Sequence, residues 1–221
     1  SAGNPRCARR TRAWRPLLIV APTLLLALVA GWALRAPLPP PTAVRLALVQ
    51  PNIGQGSRYA DPFANLARYA ELTRAAFANG AQVVIWPEGA LQFTIDEDSG
   101  ARAFVTALIP PGGLLLFGSD HIERDGDGVA VGARNSLFAL DAQGVIHGRY
   151  DKAHLVPGGE YLPFRSLMEP IGLARLVPGT LDFWGGPGPR TLHLPGPYGT
   201  WLPPVGVQIC YEIIFPARIV D

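Results

Sequence analysis

Charge, cysteine and lysine are all scarce in this sequence of 221 residues. Only 16% of the residues are charged, compared with roughly 25% in soluble domains, which suggests that part of the chain lies in lipid. The two cysteines, Cys7 and Cys210, are too few for a disulfide framework, and we interpret both as free thiols. Eighteen arginines accompany one lysine, Lys152. That lysine is either a chance product of an arginine-rich composition or a site that needs a compact ammonium able to lose its proton.

Motifs of several other chemistries are missing. The four histidines lack the H-E-x-x-H spacing of metal sites, and the G-x-S-x-G elbow of serine hydrolases does not occur. The glycine-rich run at residues 185–199 lacks the lysine of a phosphate-binding loop. We therefore expect no metal and no cofactor. Residues 1–15 hold five arginines and no acid, so the basic excess is a tail, and we expect no nucleic-acid partner.

A long apolar run follows this tail. Residues 16–34 are 19 consecutive uncharged residues, close to the roughly 20 that a helix needs to cross a bilayer. Trp14 and Trp32 lie near its ends, where interfacial aromatics are common. A cleaved signal peptide fits less well, because the run is too long and no A-x-A site follows it. We predict a basic cytoplasmic tail (1–15), a transmembrane helix (16–35), a proline-rich connector (36–42) and a catalytic domain beyond the membrane (43–221).

Residues 43–221 show the pattern of an α/β fold with mixed strands. We predict a buried strand at residues 44–49 and further strands at 82–86, 114–118 and 205–210. We also predict helices at 61–80 and 101–109, and a hairpin at 129–151 that turns around 141–144. Residues 157–204 contain ten prolines and nine glycines. Such a segment forms few regular elements, and it is either a lid or a solvated connector.

Three side chains with reactive chemistry follow predicted strands, namely Glu88, Lys152 and Cys210. Open α/β sheets place their sites at such strand ends. A thiol that attacks an acyl carbonyl needs a base and a positive or donor group near the oxyanion, and Glu88 and Lys152 supply these two functions. Taken singly, each has an ordinary alternative: a solvated turn, a surface charge or an inert core thiol.

Four blocks of sequence carry a family resemblance. They are VQPNIGQ at 49–55, IWPEGA at 85–90, YDKAHLVPGGEYLPFR at 150–165 and VGVQICYEIIFP at 205–216. In this order, and behind an apolar segment, they resemble the apolipoprotein N-acyltransferases, a membrane-bound branch of the nitrilase (carbon-nitrogen hydrolase) superfamily. The resemblance implies Glu88 as general base, Lys152 as the lysine on the oxyanion side and Cys210 as nucleophile. It also implies supporting or substrate-binding roles for Glu160, Tyr211 and Glu212.

The fold that the resemblance implies is the nitrilase-like α-β-β-α sandwich, incomplete at its C-terminus and preceded by one transmembrane helix. The implied reaction transfers a fatty acyl group from a membrane phospholipid, through a thioester on Cys210, to the N-terminal amine of diacylglyceryl-cysteine lipoproteins. Phospholipid, lipoprotein and membrane are thus the expected partners. The expected location is a bacterial inner membrane, with the catalytic domain on the periplasmic side.

Two alternatives stay open from the sequence. A membrane-tethered amidase of the nitrilase type would use the same Glu88, Lys152 and Cys210 with water as acceptor. An inactive fragment is the other alternative, because the family domain is longer than residues 43–221 and continues past the nucleophile.

Overall fold

The computed structural model describes residues 15–35, 43–57, 60–162 and 181–215, apart from the side chains of residues 15–17 and 55. The chain divides into two compact units, Ser1–Pro41 and Thr42–Asp221. The predicted tail, up to residue 14, and the predicted connector at 36–42 lie outside the described residues.

The described part of the first unit forms a helix, α1 (Arg15–Ala33), with Pro22 inside it. From Leu18 onward its large apolar side chains are exposed. Thr23 donates its hydroxyl to the carbonyl of Ile19 at 2.7 Å, which keeps that polar group bonded within the helix. Within the described ranges, no helix combines the length and the hydropathy that crossing a bilayer requires.

The second unit is built on a five-stranded mixed sheet in the order β1-β2-β3-β4-β5. The strands are β1 (Leu46–Leu48), β2 (Val83–Ile85), β3 (Leu114–Arg124), β4 (Ala130–Asp141) and β5 (Ile146–Asp151). The pairs β1/β2 and β2/β3 are parallel, whereas β3, β4 and β5 form an antiparallel meander. The predicted α/β fold with mixed strands is confirmed.

Two helices connect the parallel strands, because consecutive strands that pair in parallel need a crossover connection. Helix α2 (Pro62–Ala78) begins where Asp61 accepts a hydrogen bond from the Ala64 amide at 2.9 Å, and it ends before Gly80, whose φ is 85°. Helix α3 (Ser99–Thr106) begins at an equivalent cap, Asp98. The sequence predicted both helices, although it placed α3 two residues late at its start and three residues late at its end.

Alternate strand residues feed two cores, one on each face of the sheet. In one core, side chains of α2 and α3 pack against strand residues such as Phe117 and Phe138. The other joins Val83, Leu116 and Tyr150 to residues 192–209. These later residues include β6 (Thr191–Leu192) and β7 (Val205–Gly206), which pair with each other. The sheet therefore has a packed core on each of its two faces.

Two predicted strands differ from the structure. The segment at 44–49 was expected to be buried, but Leu46 and Leu48 are exposed because β1 is the edge strand of the sheet. The strand expected at 205–210 ends at Gly206, and Cys210 begins a 3-10 turn instead. Of the proline- and glycine-rich segment at 157–204, residues 163–180 lie outside the described part.

A buried hydrogen bond links α2 to the end of β2. The Trp86 indole N–H donates to the Thr73 hydroxyl at 2.8 Å, and both residues are buried. Thr73→Val should reduce the free energy of unfolding by about 1–3 kcal/mol, because it leaves the indole N–H without its acceptor. Urea denaturation measures the loss. Thr73→Ser, which retains the hydroxyl, should lose clearly less, and equal losses would show that the hydrogen bond contributes nothing.

Candidate active site

Glu88 lies on a tight turn that follows β2. The Trp86 amide donates to the Leu116 carbonyl at 2.8 Å and the Leu91 amide to the Gly118 carbonyl at 3.1 Å, so both ends of the turn are bound to β3. At Gly118 a Cβ atom would lie 2.8 Å from the Glu88 Cα, within the turn's own backbone. A side chain there would displace the turn, and glycine is what lets it approach the sheet so closely.

Lys152, the residue after β5, is buried between two carboxylates. Its side chain is 2% exposed, and its Nζ lies 3.0 Å from Glu160 Oε1 and 3.2 Å from Glu88 Oε1. Burial acts to lower the pKa of Lys152, but the hydrogen bond to Glu160 and the charges of both glutamates outweigh it and raise that pKa. The raised pKa favours the protonated form of Lys152, whereas one of the two interpretations from the sequence was a lysine that can lose its proton.

Asn135 on β4 completes this cluster and was missed by the sequence analysis. Its Nδ2 donates to Glu88 Oε1 at 2.5 Å and to Glu160 Oε1 at 3.0 Å. Its carbonyl accepts from the Lys152 amide at 2.9 Å. A signal was present in the sequence, since an Asn-Ser pair interrupts an otherwise largely apolar strand, and buried polar groups need partners.

Glu160 lies directly beside Lys152 in the fold. Its second oxygen, Oε2, accepts from the Val156 amide at 2.8 Å, which closes the loop between the two residues. This loop is held from both ends, because the Lys152 amide is bound to β4 and the Glu160 carboxylate to Lys152 and Asn135. The sequence spacing of eight residues thus becomes a direct contact.

Cys210 is exposed and begins the 3-10 turn Cys210–Ile214. Its φ is 50°, in the left-handed region that non-glycine residues rarely occupy. Partial burial, the charge of Glu88 and a hydrogen bond with Glu88 raise the pKa of the Cys210 thiol, while the Lys152 charge and the Tyr211 amide act in the opposite direction. The structure thus brings Glu88, Lys152 and Cys210 into one electrostatic group.

The carboxylate of Glu212 binds the nucleophile turn to the Lys152 loop. Its Oε1 accepts from the Tyr150 hydroxyl at 2.8 Å and the Ala153 amide at 2.8 Å, and its Oε2 accepts from the Ile209 amide at 2.8 Å. Glu212 is 2% exposed. Burial and this carboxylate raise the pKa of Tyr150, so the phenol remains a hydrogen-bond donor. Glu212 therefore positions the site by binding the backbone amides of Ala153, next to Lys152, and of Ile209, next to Cys210.

Tyr211 follows the nucleophile and is half-buried. Its ring meets the Phe215 ring edge-on at 5.3 Å, and Phe215 in turn stacks on His154 at 4.7 Å. The turn that carries Cys210 is therefore held by aromatic contacts as well as by the hydrogen bonds of Glu212. In the part of the chain that the structure describes, no group of three or more His, Cys, Asp or Glu side chains could hold a metal ion.

Comparisons with known proteins identify the family of this chain. The family model described as carbon-nitrogen hydrolase matches residues 45–221. The apolipoprotein N-acyltransferase of Bradyrhizobium diazoefficiens is 34% identical over 97% of this chain and 41% of that protein. That of Rhodopseudomonas palustris is 35% identical over 80% of this chain and 34% of that protein. A butyramide complex of an amidase from Nesterenkonia sp. AN1 has a TM-score of 0.46 at 19% identity, covering 73% of this chain and 56% of that one.

The chain is short relative to these curated relatives, since it spans 41% and 34% of the length of the two acyltransferases. The matched region nevertheless includes every candidate residue from Glu88 to Glu212.

Removing the charge of Glu88 should make the thiol more acidic. In Glu88→Gln the negative charge that disfavours the thiolate is lost, so the pKa of Cys210 should fall. We expect Cys210 to react faster with iodoacetamide at pH 8, and the pH midpoint of the reaction to move down. Mass spectrometry of a Cys7→Ser background isolates Cys210. The matched control is Glu97→Gln, which removes the charge of an exposed carboxylate that pairs with Arg124 and is not among the groups that shift the pKa of Cys210. A midpoint that rises or stays unchanged in Glu88→Gln contradicts the assignment.

A methyl group at Gly118 should disturb the Glu88 turn. In Gly118→Ala the new Cβ would lie 2.5 Å from the Gly89 amide nitrogen, so backbone must move, at an expected loss of about 1–3 kcal/mol in the free energy of unfolding. Gly126→Ala is the control, since its Cβ would meet nothing within 4 Å. Urea denaturation compares the two, and equal stabilities would show that the turn does not need this close approach.

Proposed function

Because the chain belongs to the carbon-nitrogen hydrolase family, we propose that its site transfers an acyl group through a thioester on Cys210. The observation that carries this proposal is the joint influence of Glu88 and Lys152 on the exposed thiol of Cys210. Glu88 also accepts a hydrogen bond from Lys152. A thiol nucleophile, a carboxylate that acts as base and an ammonium near the oxyanion can together carry out acyl transfer.

In the first step Glu88 removes the proton of Cys210 while the sulfur attacks the ester carbonyl of the donor. The raised pKa of the thiol supports proton transfer during the attack rather than a preformed thiolate. Lys152, which retains its proton, stabilises the oxyanion. The intermediate then expels the alcohol of the donor, which takes the proton from Glu88, and the acyl group stays on Cys210 as a thioester.

In the second step an amine attacks that thioester. Glu88 accepts the proton that the amine loses and returns it to the departing sulfur of Cys210. The products are an amide and the regenerated thiol, so no oxidant or cofactor is consumed. Glu160 and Asn135 keep Glu88 and Lys152 in place, since both hydrogen-bond within this cluster.

The lipid nature of both substrates is part of the proposal. The relatives are named apolipoprotein N-acyltransferases, which supports a lipoprotein amine as acceptor. The phospholipid donor and the N-terminal diacylglyceryl cysteine of the acceptor are carried over from the family resemblance of the sequence blocks. We further propose that α1 anchors the catalytic unit at the periplasmic side of an inner membrane. The exposed leucines of α1 support this placement, because burial of apolar surface in lipid is favourable.

Intact mass spectrometry tests the thioester. The full-length protein in detergent, incubated with phospholipid, should gain one fatty-acyl mass that hydroxylamine removes, and Cys210→Ala should gain none. Addition of a lipopeptide with a free N-terminal amine should then discharge the acyl group into an N-acyl product. A folded protein without the adduct contradicts the proposal. An adduct that yields only free fatty acid would favour the amidase-type alternative, in which water is the acceptor.

A further inference from the structure

A cleft of about 190 Å³ opens beside Glu88, and the two-step chemistry above does not use it. Its lining comes from the segment after β1, from α2 and from the Glu88 turn. The polar residues of the lining are Gln50, Asn52, Asn65, Glu88 and Gln92. At roughly 30 Å³ per water molecule, the cleft has room for a short polar segment of a ligand.

The chemistry of the lining is that of amides with one carboxylate. Four side-chain amides offer donors and acceptors together, as a peptide backbone does. Among the residues that the structure describes, the carboxylate of Glu88 is the single charged group of the lining. That carboxylate repels a phosphate and attracts an ammonium.

The walls of this cleft are held by bonds to the sheet. The Val49 amide donates to the Ile85 carbonyl at 2.9 Å, which fixes the segment that carries Gln50 and Asn52. Gln92 donates its side-chain amide to the Gly89 carbonyl at 3.2 Å, which closes the opposite wall. Tyr69 lines the cleft and stacks on Trp86 at 4.8 Å. A cleft formed before the ligand arrives requires less ordering when the ligand binds.

We propose that this cleft binds the N-terminal peptide segment of the acceptor and presents its amine to Glu88. The inference rests on the proposed function, in which Glu88 takes the proton of the attacking amine. An α-ammonium group, with a usual pKa near 8, arrives largely charged at neutral pH and is drawn to the carboxylate. It then releases one proton to water, and the neutral amine attacks the thioester. The backbone amides that follow the ammonium group along the peptide form hydrogen bonds with the side-chain amides of the cleft.

Opposite charges placed at Gln50 test this assignment. Gln50 is exposed at the rim, so both Gln50→Lys and Gln50→Glu are compatible with folding. With a synthetic lipopeptide as acceptor, the KM for the second step should rise about fivefold in Gln50→Lys and fall in Gln50→Glu, as one partly screened charge predicts. The KM should also be higher for a lipid amine that lacks the peptide bond, since it cannot meet the amides.

Gln143→Lys and Gln143→Glu are the matched controls, since Gln143 lies exposed in the turn between β4 and β5, outside the cleft, and both should leave the acceptor KM unchanged. An acceptor KM that is the same in both Gln50 variants, or equal for the lipopeptide and the simple amine, overturns the assignment. Charge effects confined to the rate of thioester formation from phospholipid overturn it as well, and would place the donor headgroup in the cleft. The absence of any thioester in the unsubstituted protein instead contradicts the proposed function itself.

Discussion

One buried positive charge organises this site. The Lys152 ammonium lies within hydrogen-bond distance of two carboxylates, and Asn135 donates to the same two groups. An ammonium in such surroundings is stable only if its partners stay in place, because loss of one partner of a buried ion pair typically destabilises a protein by about 3–5 kcal/mol. The turn after β2, the middle of β4 and the end of β5 are thus held together by charged and polar side chains, in addition to the backbone pairing of β4 with β5.

Hydrogen bonds to Glu212 connect the turn that carries the Cys210 thiol to the segment around Lys152. Glu212 receives hydrogen bonds from β5, from the segment after Lys152 and from the residue before Cys210. Two buried glutamates therefore do different work: Glu160 contacts the lysine directly, whereas Glu212 fixes the distance between nucleophile and lysine through backbone amides. A change at Glu212 would act on reactivity through geometry rather than through charge at the reacting atoms.

Local signals explain which parts of the fold the sequence could predict. Helix α2 was predicted because Asp61, Pro62 and Gly80 are local start and stop signals. The prediction that β1 is buried was wrong, because a run of apolar residues does not distinguish an edge strand from a central strand. The 3-10 turn at Cys210 was missed because it depends on Glu212 accepting hydrogen bonds from residues about sixty positions away, and no local pattern encodes such bonds.

In the candidate site, too, local sequence signals predicted some residues, whereas a residue that depends on long-range contacts was missed. Glu88, Lys152 and Cys210 were found because each follows an apolar run and the surrounding blocks resemble a known family. Asn135 was not found, since its role depends on the register that places β4 between β3 and β5. Its partners Glu88 and Glu160 are 47 and 25 positions away in the sequence.

The backbone at Cys210 has a wider consequence. Of the described non-glycine residues only three have a positive φ, and two of them, Asn52 and Cys210, belong to the cleft and the nucleophile turn. A left-handed conformation is unfavourable for a residue with a Cβ, by about 1–2 kcal/mol. Glycine would occupy position 210 without that strain but would bring no thiol. At position 210 the backbone conformation favours glycine whereas the proposed chemistry requires cysteine, and the chain has cysteine.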